Sequence, residues 1–198
     1  MAWLNPLVLR GSSVSLEPLS RDHLDALVDA VADGELSKLW YTSIPPPDAM
    51  GAEIDRRLSL QAAGVMLPFA VIDPHTGRAV GMTTYMHVDA ANRRLEIGST
   101  WYRRGVQRTS LNTEAKLLLL RHAFETLICI AVEFRTHFMN HDSRRAIERL
   151  GAKLDGVLRQ HQIARDGSLR DTCVYSIIAS EWPTVRAHLT WQLERPRS

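Results

Sequence analysis

"YRRGVQRTSLNTEAKLLLLRHAFETL", residues 102–127, decides the reading of the chain. Arg103, Arg104 and Arg108 stand with Gly105, Thr109 and Ser110 just before an apolar helical pattern. Leu117, Leu120, Phe124 and Leu127 recur at helical spacing, which predicts a long helix capped by Ser110 or Asn112. A helix N-terminus offers free N–H groups and a partial positive charge, so an anion such as phosphate binds there readily. From these residues alone, a solvated basic turn is the commoner reading.

The flanking segments place that helix. Upstream, "SVSLEPLS" predicts a strand, and Ser20 caps a helix with Leu24, Leu27, Val28 and Val31 on one face, ended by Gly34. Asp48, after three prolines, caps a second helix through Met50, Ile54 and Leu58, with Gly64 at its exit. "PFAVID", "AVGMTTYMHV" and "RLEIGSTWY", separated by the turns "PHTG" and "DAANR", predict an antiparallel meander. Downstream come a strand "IAVEFRTHF", a short helix "DSRRAIERLG", two strands joined by Asp166-Gly167, and a final helix from about Ser180. The order β-α-α-β-β-β-α-β-α-β-β-α describes an α+β fold with a central mixed, mostly antiparallel sheet. Only the strands flanking the long helix must be parallel, because a helix of that length makes a crossover.

Composition sets the outer bounds. A chain of 198 residues suits one domain, 1–198, and such a domain buries about 70% of the surface its unfolded chain exposes. With 45% hydrophobic and 23% charged residues it resembles ordinary globular chains, not a disordered one. The formal charge of +2 is no polybasic surface, so bulk charge predicts no nucleic-acid partner. Cys129 and Cys173 each sit in an apolar run and read as buried thiols; no His or Cys spacing suggests a metal. The sequence has no apolar run of 18 residues and its start lacks a signal-peptide pattern, which predicts a cytoplasmic protein without a membrane partner.

Side chains alternate along a strand, so "LEIGSTWY" sends Leu95, Ile97, Ser99 and Trp101 one way and Glu96, Gly98, Thr100 and Tyr102 the other. Glu96 then stands beside a glycine on an open face. It reads either as a functional carboxylate or as a strand residue paired with Arg93 or Arg94.

Taken together, "VSLEPLSRDHLDAL", "NTEAKLLLLRHAFETL", "NHDSRRAIERLGA", "LDGVLR" and "RDTCVYSI" resemble the GCN5-related N-acetyltransferase (GNAT) superfamily, in its RimJ/RimL-like branch. The resemblance spans nearly the whole chain. It implies a V-splayed sheet with acetyl-CoA between the fourth and fifth main strands and its pyrophosphate on the loop before the long helix. The family's Arg/Gln-x-x-Gly-x-Gly/Ala loop corresponds to residues 105–110, with both glycine positions changed, to Arg108 and Ser110. The coenzyme is thus expected to bind through Arg103, Arg104, Gln107, Arg108, Thr109, Ser110, Asn112 and Thr113, more weakly or in a different pose. Main-chain N–H groups of Ile97, Gly98 and Ser99 would polarise the thioester, and Asn140 and Ser143 match the family's Asn-x-x-Ser. "NHDS" is also a helix cap, and both roles can coexist.

Acetyl transfer to an amine needs a neutral amine, an oxyanion donor and a proton for the sulfur. The resemblance makes Glu96 the base. The family's tyrosine acid falls at Ile147, so Ser143 or Tyr175 is expected to replace it; Tyr175 reads also as a packed core residue. "KLWYTSIPPP" and "RQHQIARDGSLRD" would wall the acceptor pocket with Trp40, Tyr41, His161 and Asp171 around Glu96. The expected partners are acetyl-CoA and a primary amine, which is a protein N-terminus, a small amine or an amino-acid-like antibiotic, and a homodimer is left open. Two other classes compete: a non-catalytic acyl-CoA-binding module, and an RNA-associated module using arginines 103–108 and 144–149, which lacks interleaved aromatics for stacking.

Overall fold

The computed structural model describes residues 3–164 and 166–195; Met1, Ala2, Arg165 and residues 196–198 lie outside the described residues. The strands are β1 (Leu9–Arg10), β2 (Ser15–Pro18), β3 (Met66–Asp73), β4 (Arg78–Asp89), β5 (Arg94–Tyr102), β6 (Ala131–His137), β7 (Lys153–Ile163) and β8 (Leu169–Ile178). The α-helices are α1 (Leu24–Ala32), α2 (Met50–Ala62), α3 (Leu111–Arg121), α4 (His141–Glu148) and α5 (Trp182–Glu194). The strands form one sheet in the order β1-β2-β3-β4-β5-β6-β8-β7. Every adjacent pair is antiparallel except β5 and β6, the pair joined across α3, as the crossover argument requires.

Strand alternation builds a core on each face of the sheet. Leu67, Phe69, Leu95, Ile97, Val132 and Phe134 face α3 and α5, packing with Leu119, Leu120 and Leu189. Ala70, Ile72 and Met82 face the other way, toward Leu27 and Val31 of α1 and Met50 and Ile54 of α2. Leu119 and Leu120 are completely buried, and burial of each such side chain contributes roughly 2 kcal/mol.

Two local expectations need correction, and one contact is new. The long helix keeps α geometry only to Arg121, and His122–Thr126 form a wider π turn. Phe124 nevertheless remains inward, stacked on Trp182 with centroids 5.3 Å apart. The cap of α3 is shared differently: Ser110 is the N-cap without a side-chain bond, and the Thr109 hydroxyl accepts from Leu111 N at 3.3 Å. Asn112 lies inside the first turn. Finally, the hairpin of Gly11 to Ser13 is tied to α3, because the Glu114 carboxylate accepts from Ser12 N, Ser12 Oγ and Ser13 N.

Candidate active site

β5 and β6 pair at only three positions, Arg94, Leu95 and Glu96 against Ala131, Val132 and Glu133. From Ile97 onward the strands part, and that edge of β5 offers main-chain groups with no partner on β6. On its other edge the register with β4 slips between Met82 and Thr84, where Ser99 adopts φ +49°. This bulge re-aims the strand beyond it. Strict alternation predicted Trp101 on the Leu95 face and Tyr102 on the Glu96 face; instead Trp101 packs with Met82 and Ile54, and Tyr102 with Ile97.

The opening holds a cleft of about 560 Å³. Tyr41, Arg57, His87, Glu96, Arg135, His137 and Arg170 line it on the α1–α2 face, and Gln107, Asn112, Lys116, Asn140 and Ser143 line it toward α3 and α4. Glu96 is 4% exposed. Its Oε2 meets His87 Nδ1 at 2.7 Å, and Arg135 Nε lies 3.6 Å away. The hydrogen bond to Glu96 raises the His87 pKa above its ordinary value. Gly98 makes this arrangement possible: a Cβ there would lie 2.5 Å from Glu96 Oε1 and 2.8 Å from Met86 Sδ. The alternative reading, in which Glu96 pairs with Arg93 or Arg94, finds no such ion pair among the described residues; Arg94 binds Glu133 on β6 at 2.7 Å.

On the opposite wall Lys116 is 5% exposed, and its Nζ donates to Thr83 Oγ1 at 3.1 Å and Thr100 Oγ1 at 2.7 Å. No carboxylate pairs with it among the described residues, and burial lowers its pKa to about 7. Asn112 Oδ1 is buried in the same wall without a hydrogen-bond partner among the described residues. Such an acceptor, beside the open edge of β5, suits a ligand that carries amide N–H groups. Asn140 Oδ1 accepts from Ser143 N at 3.0 Å, so this pair is a genuine helix cap whose Asn140 amide nitrogen stays available to the cleft.

The loop before α3 is fastened at one end to α1. Arg103 donates to Asp33 Oδ2 at 2.9 Å, and Gly105 N donates to the same oxygen at 3.2 Å, which fastens the loop to the end of α1. The Arg103 bond lowers the Asp33 pKa. Arg103 thus pairs with Asp33 while its side chain stays partly exposed, and Arg104 packs its side chain over Gly34. Arg108 holds φ +62°, the conformation a glycine would adopt without strain. Arg103, Arg104, Arg108, Thr109, Ser110 and Thr113 stand outside the cleft wall, and Thr113 Oγ1 accepts from Arg149.

The remaining expected residues divide. Ile97, Gly98, Ser99, Tyr41 and His161 line the cleft; Trp40, Asp171 and Tyr175 do not. Trp40 is exposed with its ring edge-on to His137 at 5.0 Å, and Asp171 accepts from Gln160 N at 2.7 Å. Tyr175 is fully buried; its hydroxyl donates to Glu148 at 2.8 Å and accepts from Arg144 at 3.1 Å. Burial raises its pKa, and with both bonds formed inside the α4–β8 interface it does not reach the cleft. The sequence reading missed His87, Lys116, Arg135 and Arg170. Their signal was present: Arg135 alternates with Val132 and Phe134, and Lys116 follows Asn112 by four residues on α3.

The family described as "Acetyltransferase (GNAT) domain" matches residues 13–153. The chain belongs to this family, and the splayed mixed sheet is the GNAT fold. A crystal structure of a GCN5-related N-acetyltransferase from Brucella melitensis is 33% identical, with TM-score 0.84, covering 96% of this chain and 86% of that one. A candidate acetyltransferase from T. thermophilus is 34% identical, with TM-score 0.84 and coverage of 96% and 99%. RimJ of Mycobacterium smegmatis, solved with CoA-disulfide, shares the fold at 21% identity, with TM-score 0.77 and coverage of 95% and 93%. No curated protein matches the chain. Membership supports acyl transfer from acetyl-CoA.

Proposed function

We propose that the chain is a cytoplasmic N-acetyltransferase of the RimJ/RimL-like kind. It transfers acetyl from acetyl-CoA to a primary amine by direct attack with both substrates bound. The observation that carries this reading is the position of Glu96. It is the last paired residue before β5 and β6 separate, and it is hydrogen-bonded by His87 on the cleft wall.

When bound, acetyl-CoA supplies an activated acyl thioester. The residues that would hold it are Gln107, Asn112, Asn140 and the main chain of Ile97 to Ser99. Glu96 takes the proton from the amine, directly or through water, at the oxygen not held by His87. An alkylammonium has a pKa near 10 and a protein α-amino group near 8, so this step is useful at neutral pH. Main-chain N–H groups beyond Glu96 stabilise negative charge on the acyl oxygen. Ser143 is the candidate of the two expected acids that lines the cleft; its hydroxyl would relay a proton to the departing thiolate while taking one from water.

Glu96→Gln tests the assignment. It should lower kcat/KM by roughly 10²-fold or more while leaving coenzyme affinity in a thermal-shift titration nearly unchanged. Full activity in that variant removes Glu96 as the base. Unchanged coenzyme binding together with no thiol release from any amine, in the wild-type protein, would favour the non-catalytic acyl-CoA-binding module.

A further inference from the structure

The α1–α2 face of the cleft carries three arginines, Arg57, Arg135 and Arg170, and their charges are not equally compensated. Arg57 binds Glu53 at 2.7 Å and donates to Thr84 Oγ1 at 2.6 Å. Arg135 closes both its Nε and a terminal nitrogen on Glu133 Oε2, at 3.2 and 2.9 Å. Arg170 has no such partner. Its Nε donates to the Thr172 hydroxyl at 3.2 Å, and no carboxylate lies within ion-pair distance of it among the described residues.

Alternation along β8 fixes where Arg170 faces. Cys173, Tyr175 and Ile177 enter the core on the α3 side, so Arg170 and Thr172 project to the opposite face. There Arg135 and His137 of β6 and Glu96 of β5 also face the cleft. Glu96 is the carboxylate whose field reaches the Arg170 guanidinium, while partial burial of that guanidinium works against its charge. A half-buried guanidinium with planar donors unspent is matched by a carboxylate, which accepts two parallel N–H bonds.

We propose that the acceptor is a small amine that also bears a carboxylate. Its amino group lies at Glu96 and its carboxylate on Arg170. The proposal rests on the acetyltransfer reading given above and selects among its acceptors. A protein N-terminus brings a neutral peptide group to this position and leaves the guanidinium uncompensated. An amino carboxylate places opposite charges against both Glu96 and Arg170, and the mismatch of a neutral acceptor at such a site is large because a buried polar group is then left unpaired.

The test is a thiol-release assay with acetyl-CoA and matched pairs of acceptors. Each pair sets a free α- or ω-amino acid against its C-terminal amide, with N-terminal peptides as a third arm. The expected result is at least one pair in which the acid exceeds its amide by tenfold or more in kcat/KM. Arg170→Gln should then bring the acid-to-amide ratio toward one, chiefly by raising KM for the acid, and Arg170→Lys should restore part of the preference. Amides or peptides used as well as the acids overturn the proposal while leaving acetyl transfer intact. A preference that survives Arg170→Gln, with Tm of the variant unchanged, overturns the role of Arg170. Absence of thiol release with every amine, despite a thermal shift with acetyl-CoA, overturns the acetyltransfer reading itself and this proposal with it.

Discussion

His87 Nδ1 lies 2.7 Å from Glu96 Oε2, so an imidazole on β4 orients the carboxylate that β5 places in the cleft. His87→Ala leaves Glu96 with Arg135 at 3.6 Å as its nearest charged partner. Steady-state kinetics should show kcat/KM about tenfold lower, with coenzyme affinity retained. The bond also raises the His87 pKa above its ordinary value of 6.5. Its stabilising contribution is therefore fully present below pH 6.5 and fades as pH rises through the elevated value. Urea titrations of wild type and His87→Ala should differ more at pH 5.5 than at pH 8.5.

Gly98 tests how closely Glu96 must be held. A Cβ at this position meets Glu96 Oε1 at 2.5 Å and Met86 Sδ at 2.8 Å, both too close to persist. Gly98→Ala should displace the carboxylate, lower kcat by tenfold or more, and destabilise the chain by about 1 to 3 kcal/mol through overpacking. Retention of full activity would show that Glu96 tolerates movement.

Lys116 gives a pH signature of its own. Burial lowers its pKa from 10.5 to about 7, and the unfolded chain keeps the ordinary value. Above pH 7 the unfolded state therefore binds more protons than the folded one, so folding stability rises with pH, by up to about 1.4 kcal/mol per unit. Lys116→Met should remove this slope between pH 7 and 9 and raise stability at pH 7. The window is chosen below the range in which the buried Cys129 thiol, pushed up to about 12, would oppose the trend. Equal slopes in chemical denaturation of the two proteins would contradict a neutral buried amine.

The Glu114 carboxylate ties the turn before β2 to α3. Its oxygens accept from Ser12 N at 2.8 Å, Ser12 Oγ at 2.9 Å and Ser13 N. Glu114→Ala removes the acceptor of all three donors, although Gly11 and Ser12 are exposed and water can replace part of what is lost. The expected cost is about 1 to 2 kcal/mol in chemical denaturation, with faster hydrogen exchange at residues 11–13 than elsewhere.

Much of the fold was legible because the apolar periodicities change cleanly along the chain. The meander follows from alternating residues between turn signals, and the parallel β5–β6 pair follows from the length of the intervening helix. The π turn at His122–Thr126 and the bulge at Ser99 were not legible. Each inserts one residue's worth of extra backbone without altering the apolar pattern, and local composition carries no mark of it.

The site was less legible than the sheet. Glu96 beside Gly98 could be read directly from the strand, and both line the cleft. The partner of Arg103 had no sequence signal, because Asp33 stands seventy residues away and only the packing of the loop against the end of α1 brings the two together. Tyr175 was ambiguous between core and cleft, and only its bonds to Glu148 and Arg144 place it in the former. Spacing put Lys116 on the Asn112 face of α3, but the lack of a carboxylate partner for Arg170 and Lys116 among the described residues is a property of tertiary packing.

The seam between β5 and β6 divides responsibilities. Glu96 belongs to the half of the sheet that begins with β1, whereas Arg135, His137 and Arg170 belong to the half made of β6, β8 and β7. Three residue pairs and the Arg94–Glu133 ion pair fasten the halves beside the cleft. Any change that spreads this seam would part the proposed base from the proposed acceptor contacts by distance alone, with every side chain still in place on its own strand.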